Sequence, residues 1–381
     1  MTTVTLQNST SHEEPRLNIV LPALASSVAF GGTTSALALT KHLSQHYASC
    51  RFVSLFESGV EPEQLAHLKE IVAEPEAVFL GGGGQLACHA RDVFLVTYWQ
   101  GFALWEKLDA ERQKKGLPSL AFYYLIQDYE PLFSGFGEQH ALALKTYSMG
   151  DKTKAVINSN ELASYLRSSG AVFSAEYPFR PSLNEDIAAF LQKTRFQLPP
   201  KGGDETIILF YGRPGVPRNC FESGLAALRL FFQRLPKAGR HRFTALSVGL
   251  PHDDMQLADG AVLKSLGRLP MEQYIALLLR AHVGLSLMIS PHPSYPPLEM
   301  ALFGLPTVTT DYSVKKLAGT HPLLFTAAWP EPEALCAALQ QAVLKAGKLK
   351  GAAQRAVLPS SYSPLGWQEN FASLQIAPVL P

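Results

Sequence analysis

The sequence predicts an α/β protein built from two doubly wound domains, and three observations carry that expectation. Short apolar runs alternate with longer amphipathic stretches along the chain, the pattern of βα units wrapped around parallel sheets. At roughly 100–200 residues per domain, the 381 residues make two domains of similar size. One clear compositional break, Gln197-Leu-Pro-Pro-Lys-Gly-Gly-Asp-Glu205, stops regular structure with prolines and glycines. The domains are therefore expected over residues 1–197 and 205–381, the last helix packing back on the N-terminal one.

In the first half, strands are expected at Leu17–Leu21, Arg51–Leu55, Val93–Val96, Leu120–Ile126 and Ala155–Asn158. Beyond the break they are expected at Thr206–Tyr211, Phe243–Val248, Val283–Met288, Pro306–Thr309 and Leu323–Thr326, with helices near Phe221–Arg234, Met271–Ala281 and Pro332–Lys345. The run Gly81–Gly84 reads as a turn, because no Lys-Ser or Lys-Thr follows to make it a phosphate loop.

Composition narrows the function classes. With 33 basic and 32 acidic residues the net charge is +1, which argues against nucleic-acid binding. A chain that is 47% hydrophobic and 17% charged is not a disordered one. Cys50, Cys88, Cys220 and Cys336 form no framework and read as thiols of a reducing compartment. The polar start has no secretory pattern, and Tyr274–Ile289 is interrupted by Arg280 and His282, so a cytoplasmic protein without a span is expected. Peripheral contact with the inner face of the membrane stays open, since a lipid-linked substrate needs no more.

The candidate site residues lie at strand ends. After the first strand, Phe30-Gly-Gly-Thr-Thr-Ser-Ala-Leu opens a helix, and Gly31 and Gly32 would let a ligand approach the backbone near free N–H groups. It matches neither phosphate-loop nor dinucleotide fingerprints, and a plain strand-to-helix turn accounts for it equally. In Asp92–Trp99 and Leu125–Glu130 an apolar strand runs into polar and aromatic residues. Ligands of open α/β sheets bind at such carboxyl ends, so Thr97, Trp99, Gln127, Asp128 and Glu130 should face a cleft, unless they serve only to cap the loops.

In the second half, Tyr211-Gly-Arg-Pro-Gly-Val-Pro-Arg-Asn219 places Arg213 and Arg218 beside a helix start, and Gly267-Arg268 repeats the glycine-cation pair at another strand end. Such cations can hold a diphosphate, although any single one is commonly a solvated charge. Met288–Val308 predicts a buried strand, a proline-rich loop, a helix starting near Pro296 or Pro297 with Glu299 in its first turn, and Gly304 at its end. The Glu299 carboxylate could accept two sugar hydroxyls, and the Ser294 and Tyr295 N–H groups could meet phosphate. Complementing the helix dipole is the alternative for Glu299.

The last segment resembles the donor-binding signature of GT-B glycosyltransferases of family 4, through Glu299, Met300, Ala301, Gly304 and Pro306. Gln127-Asp-Tyr-Glu-Pro131 with Phe133, Ala141–Tyr147, Tyr211-Gly-Arg-Pro214 and Ser290–Glu299 are similar to the WsaF-like rhamnosyltransferases, which build bacterial cell-surface glycans from dTDP-L-rhamnose. The resemblance spans about residues 17–310 and implies GT-B architecture, two Rossmann-like domains facing a central cleft. It implies that Arg213 and Arg268 neutralise the donor diphosphate, with Arg218 a further donor-binding cation, and that Glu299 binds the ribose. Ser294, Tyr295 and Pro296, with Tyr211, Gly212, Asn219 and Gly267, would line the donor, while Gly31 and Gly32 would close on it. Asp128 and Phe133 would lie on the acceptor side, with a saccharide or lipid-linked glycan as acceptor. The broader family has a glutamate eight positions before Glu299, where this chain has Pro291.

Charge developing on the β-phosphate calls for preorganised cations, and no Asp-x-Asp pair ends a strand, so metal-independent transfer is expected. If configuration is retained, as the resemblance implies, Asp128 positions the acceptor; if inverted, Asp128 is the base. Domain closure across Gln197–Glu205 would exclude water. A nucleotide-sugar epimerase, a UDP- or GDP-sugar transferase and a non-catalytic glycan-binding protein are the competing readings, and the missing fingerprint weighs against an oxidoreductase. Trp99, Trp105, Phe133 and Phe136 read either as core or as an acceptor platform.

Overall fold

The computed structural model describes residues 3–6, 14–24, 31–59 and 62–380. The chain divides into two compact units, residues 1–182 with 365–381, and 183–364.

The first unit opens with β1 (Thr3–Leu6), β2 (Arg16–Leu21), α1 (Gly31–Ser44), β3 (Ser49–Ser54) and α2 (Pro62–Ala66). It continues through β4 (Glu76–Phe79), β5 (Gln85–Cys88), β6 (Asp92–Val96), α3 (Phe102–Lys114) and β7 (Phe122–Ile126). Next come α4 (Glu138–Lys145), β8 (Thr153–Asn158), α5 (Asn160–Ser168) and β9 (Ala175–Phe179). Seven strands form one sheet in the order β4-β3-β2-β6-β7-β8-β9, and every pairing in it is parallel. Every residue of β6 and β7 is buried, as a sheet covered on both faces requires. Strand order reverses between β2 and β6, and the chain leaves β2 to enter α1 there.

The second unit contains α6 (Glu185–Lys193), β10 (Gln197–Leu198), β11 (Thr206–Gly212), α7 (Phe221–Arg234), β12 (Phe243–Gly249), β13 (Met255–Ala258) and β14 (Ala261–Ser265). After these come α8 (Met271–Arg280), β15 (Val283–Leu285), α9 (Tyr295–Leu302), β16 (Thr307–Thr310), β17 (Leu324–Ala327), α10 (Pro332–Leu349) and β18 (Gln354–Arg355). Its seven-stranded sheet runs β13-β14-β12-β11-β15-β16-β17 and is parallel except for the β13–β14 edge. Each of the ten predicted strands falls on one of these elements, with ends shifted by up to three residues. Those left out, including β4, β9, β13 and β14, are short and carry half-buried or exposed residues that blur the apolar signal.

The break at Gln197–Glu205 lies inside the second unit, whose compact boundary falls at 182/183. On α6, Ile187 and Leu191 join Ile275, Leu278 and Phe303 in one core cluster, and β10 pairs with β18. The buried Lys201 donates to the Leu278 and Leu279 carbonyls at 2.6 and 3.1 Å, closing the end of α8. Prolines and glycines there interrupt regular structure without interrupting the core. The last helix, α11 (Trp367–Ser373), belongs to the first unit. Its Phe371 ring lies 5.1 Å from Phe179, and Asn370 Nδ2 donates to the Arg180 carbonyl at 2.8 Å.

Candidate functional site

In the second unit the carboxyl ends of β11, β12 and β14 carry Gly212, Gly249 and, just beyond β14, Gly267. The Gly249 N–H donates to the Gly267 carbonyl and the Leu250 N–H to the Gly212 carbonyl, both at 3.0 Å, so the strand ends lock together. A Cβ on Gly212 would lie 2.3 Å from Ser247 Oγ and 2.9 Å from Phe221, which is why only glycine fits. Arg213 and Arg268 follow these glycines directly. Arg213 Nη1 donates to Asn219 Oδ1 at 3.4 Å, while Asn219 Nδ2 donates to the Leu287 carbonyl at 3.2 Å. Asn219, buried, therefore aims Arg213 and ties its loop to the segment just beyond β15.

Tyr211 is where the charges converge. Burial raises its phenol pKa, Arg213 lowers it, Glu299 raises it, and Arg218 and Arg268 lower it. Three cations and one carboxylate, taken from three separate segments of sequence, thus act on one hydroxyl. Glu299 is half-buried and accepts the Tyr274 hydroxyl at 3.1 Å. Burial pushes its carboxyl up to about 7 against the opposing pull of that bond.

The proline-rich loop is built from alternating hooks. Pro291 and Pro293 lack an N–H, and the N–H of the residue after each is taken locally: His292 donates to Ser290 Oγ at 3.1 Å and Ser294 to His292 Nδ1 at 3.0 Å. They hold Ser294 at φ +70°, a conformation that costs an L-residue on the order of 1–3 kcal/mol. Helix α9 starts at Tyr295, earlier than expected, so Glu299 falls in its second turn. The Ser294 N–H is committed to His292, and Pro296 and Pro297 have none, so Ser294 drops out of the expected pair of N–H donors. Ser294 makes no side-chain capping bond to the helix.

In the first unit, most of the residues expected to face a cleft hold the sheet edge instead. The Thr97 N–H and hydroxyl both donate to the Val20 carbonyl, at 3.2 and 2.7 Å. Gln127 Nε2 donates to the Gly32 carbonyl at 2.7 Å and its Oε1 accepts Ser35 Oγ at 2.7 Å, so the amide, rather than a ligand, occupies the space beside Gly32. Both glycines lie inside the first turn of α1, and residues 25–30, with Phe30 of that motif, lie outside the described residues. Glu130, 2% exposed, accepts the Trp99 N–H at 2.7 Å and the Tyr124 hydroxyl at 2.5 Å. Burial pushes its carboxyl up to about 8. Asp128 is also buried and accepts the Tyr129 N–H at 2.8 Å.

Above this edge Tyr98 stacks on Phe133 at 6.3 Å, with Phe56 and Trp99 against it at 6.2 and 6.0 Å. Trp105 belongs to the core, stacked on Phe102 with Nε1 donating to the Leu120 carbonyl, whereas Phe136 is 97% exposed. Sequence reasoning missed Tyr98, Tyr274 and His252. The last, just beyond β12, bonds Ser247 Oγ at 2.8 Å through Nε2 and packs edge-on against Phe221. None sits in a pattern whose spacing announces a role. Among the described residues, no three His, Cys, Asp or Glu side chains come together as a metal site, and no helix is long and apolar enough to cross a membrane.

The family models for the WsaF N-terminal and C-terminal domains match residues 82–160 and 206–340, so the matched stretches contain Asp128, Arg213, Arg268 and Glu299. The chain belongs to the WsaF family. The O-antigen biosynthesis protein RfbC of Myxococcus xanthus is 35% identical to it over 220 residues. That stretch is 58% of this chain, and the chain spans only 16% of RfbC. Among solved structures, sucrose-phosphate synthase from Thermosynechococcus elongatus aligns with a TM-score of 0.57 at 13% identity, and Anabaena HepE in complex with UDP and glucose with 0.55 at 11%. WaaG, a glycosyltransferase involved in lipopolysaccharide biosynthesis, aligns with 0.52 at 12%. Each alignment covers 94% of this chain and 94% of the other. At those identities the likeness establishes the fold, which is GT-B.

Proposed function

We propose that this member of the WsaF family is a glycosyltransferase that moves a sugar from a nucleotide donor, in our reading L-rhamnose from dTDP-L-rhamnose, onto a cell-surface glycan or its lipid-linked precursor. The observation that carries it is the convergence of Arg213, Arg218, Arg268 and Glu299 on Tyr211 at the carboxyl edge of the second sheet. A nucleoside diphosphate needs that combination: cations for the two phosphates, and a carboxylate for the ribose hydroxyls. RfbC is an O-antigen biosynthesis protein and WaaG a glycosyltransferase of lipopolysaccharide biosynthesis, which supports the surface-glycan assignment.

As the bond from the sugar to the β-phosphate breaks, negative charge grows on the phosphate, and Arg213, oriented by Asn219, with Arg218 and Arg268 stabilises it. Tyr274 holds the Glu299 carboxylate in place for the ribose. The tyrosine also supports its ionised form against the cost of burial. Asp128 and the Tyr98–Phe133 aromatic group serve the acceptor, the rings offering flat apolar faces to sugar. In a retaining reaction the departing phosphate takes the acceptor proton and Asp128 positions the hydroxyl. Transfer requires no metal in this scheme. Where the acceptor is lipid-linked, the protein works peripherally at the inner face of the membrane, and Phe136, projecting between Gly135 and Gly137, supplies apolar surface for that contact.

Thermal-shift titration with dTDP, UDP, GDP and NAD, repeated in EDTA and with Glu299→Ala, tests the donor assignment. Stabilisation by dTDP that persists in EDTA and vanishes in the variant is expected. Stabilisation by UDP or GDP alone would move the sugar, and a response only to NAD, or to nothing, would overturn the site. Incubation with dTDP-rhamnose without acceptor separates the epimerase alternative, which would alter the sugar.

A further inference from the structure

Lys315 has no exposed surface, which is unusual for a lysine, whose ammonium is costly to desolvate. It follows β16, in the loop beyond Thr310, at the same sheet edge as the arginines. Nζ donates to the Met288 carbonyl at 2.7 Å. Thr310 Oγ1 accepts the Met288 N–H and donates to the same carbonyl, each at 3.0 Å, so the residue that begins the proline-rich loop is held at both backbone groups. One residue on, the Ile289 N–H donates to the Arg218 carbonyl at 2.7 Å. The Lys315 charge also reaches the Cys220 thiol, at the start of α7. The ammonium therefore sits beneath the junction of two loops: one carries Arg213 and Arg218, the other leads through Ser290, His292 and Ser294 to Tyr295 and Glu299.

We infer that Lys315 is a positioning residue of the nucleotide site, which holds the Met288 carbonyl so that the Arg213–Cys220 and Met288–Ser294 loops keep the register needed to bind the diphosphate, and which adds a buried positive charge behind it. The inference rests on the donor-site reading above. In the low dielectric of the interior such a charge is poorly screened, so it favours an anion bound over these loops more than a surface lysine would. The neighbouring Lys316 is exposed and pairs with Asp311 at 3.6 Å, which makes it the natural control.

The test compares the wild type with Lys315→Met, Lys315→Gln and Lys316→Met, measuring dTDP and dTMP affinities by calorimetry, with UDP and UMP or GDP and GMP substituted if those bind the wild type instead. Melting curves and near-ultraviolet dichroism establish which variants are folded. Lys315→Met is expected to lose about tenfold or more in nucleoside diphosphate affinity and to narrow the preference for diphosphate over monophosphate. Lys315→Gln, which can still donate to Met288 without a charge, should fall between, and Lys316→Met should match the wild type. A wild type that binds no nucleoside diphosphate would overturn the donor-site reading itself. A wild type that binds, with folded Lys315 variants equal to it in affinity and preference, would overturn only the role of Lys315; if the methionine variant does not fold, the glutamine variant carries the same comparison.

Discussion

Gln127 covers Gly32. The side-chain amide at the end of β7 donates to the backbone carbonyl in the first turn of α1 at 2.7 Å, and a Cβ on Gly32 would stand 3.1 Å from both its terminal atoms. Two segments that read separately as ligand contacts are thereby one structural joint.

That joint predicts a sign change. Alanine at a helical glycine gains up to about 1 kcal/mol from propensity. In the Gln127→Ala background Gly32→Ala is expected to show that gain in urea unfolding, and in the wild type the crowded amide should cancel it. Equal effects in both backgrounds would rule the joint out.

Glu130 predicts a pH dependence. A carboxyl pushed up to about 8 in the folded protein, against about 4.5 unfolded, favours folding while protonated. Its contribution is complete below the unfolded pKa and is lost as pH rises through the folded one, a difference on the order of 5 kcal/mol. Glu130→Gln keeps an acceptor for the Trp99 N–H and the Tyr124 hydroxyl. It should therefore melt close to wild type near pH 5 and above it near pH 9. Parallel curves across that range would contradict the buried carboxyl.

The arginines should separate by how they are held. Arg213→Ala is expected to weaken dTDP binding by 10-fold or more, roughly the worth of a charge-assisted bond. Asn219→Ala should reproduce part of that loss by releasing the guanidinium. Exposed Arg268 should show the larger dependence on added salt, so its alanine variant should approach wild-type affinity as ionic strength rises. Salt-independent losses at Arg268 would place it closer to the phosphates than proposed.

Asp128→Asn distinguishes base from positioning group. A positioning role predicts a modest fall in turnover, with the pH–rate profile kept. A fall of roughly 100-fold or more, with loss of the acidic limb, would make Asp128 the base.

Phe136 is a solvent-exposed ring with little packing to lose. Phe136→Ser should leave the melting temperature unchanged and reduce sedimentation with vesicles of anionic phospholipid. Unchanged sedimentation would remove Phe136 from any membrane contact.

Much of the molecule was legible in the sequence, and for a definite reason. A strand buried on both faces is largely apolar, so β6 beyond Asp92, β7, and β11 between Thr206 and Tyr211 appear as uninterrupted runs. The close approach of adjacent strand ends forces glycine at Gly212, which flags Arg213 behind it. These constraints are local, and local constraints leave a residue-by-residue trace.

Partnership across the chain leaves none. Nothing near Thr97 says that its hydroxyl is taken by Val20, and nothing near Glu130 says that Trp99 and Tyr124 occupy the same oxygen. Prolines and glycines at Gln197–Glu205 report a break in backbone regularity, whereas the division of the chain into compact units follows core packing, and Ile187 and Leu191, which precede the prolines, already belong to the second core. By itself the sequence determined the α/β layering, the strand-end glycines and the residue types available for chemistry. Tertiary structure alone decided which polar groups are consumed as structure, because a hydrogen bond within one unit depends on proximity in space, and Met288 and Lys315 are neighbours only after the β15 and β16 strands pair.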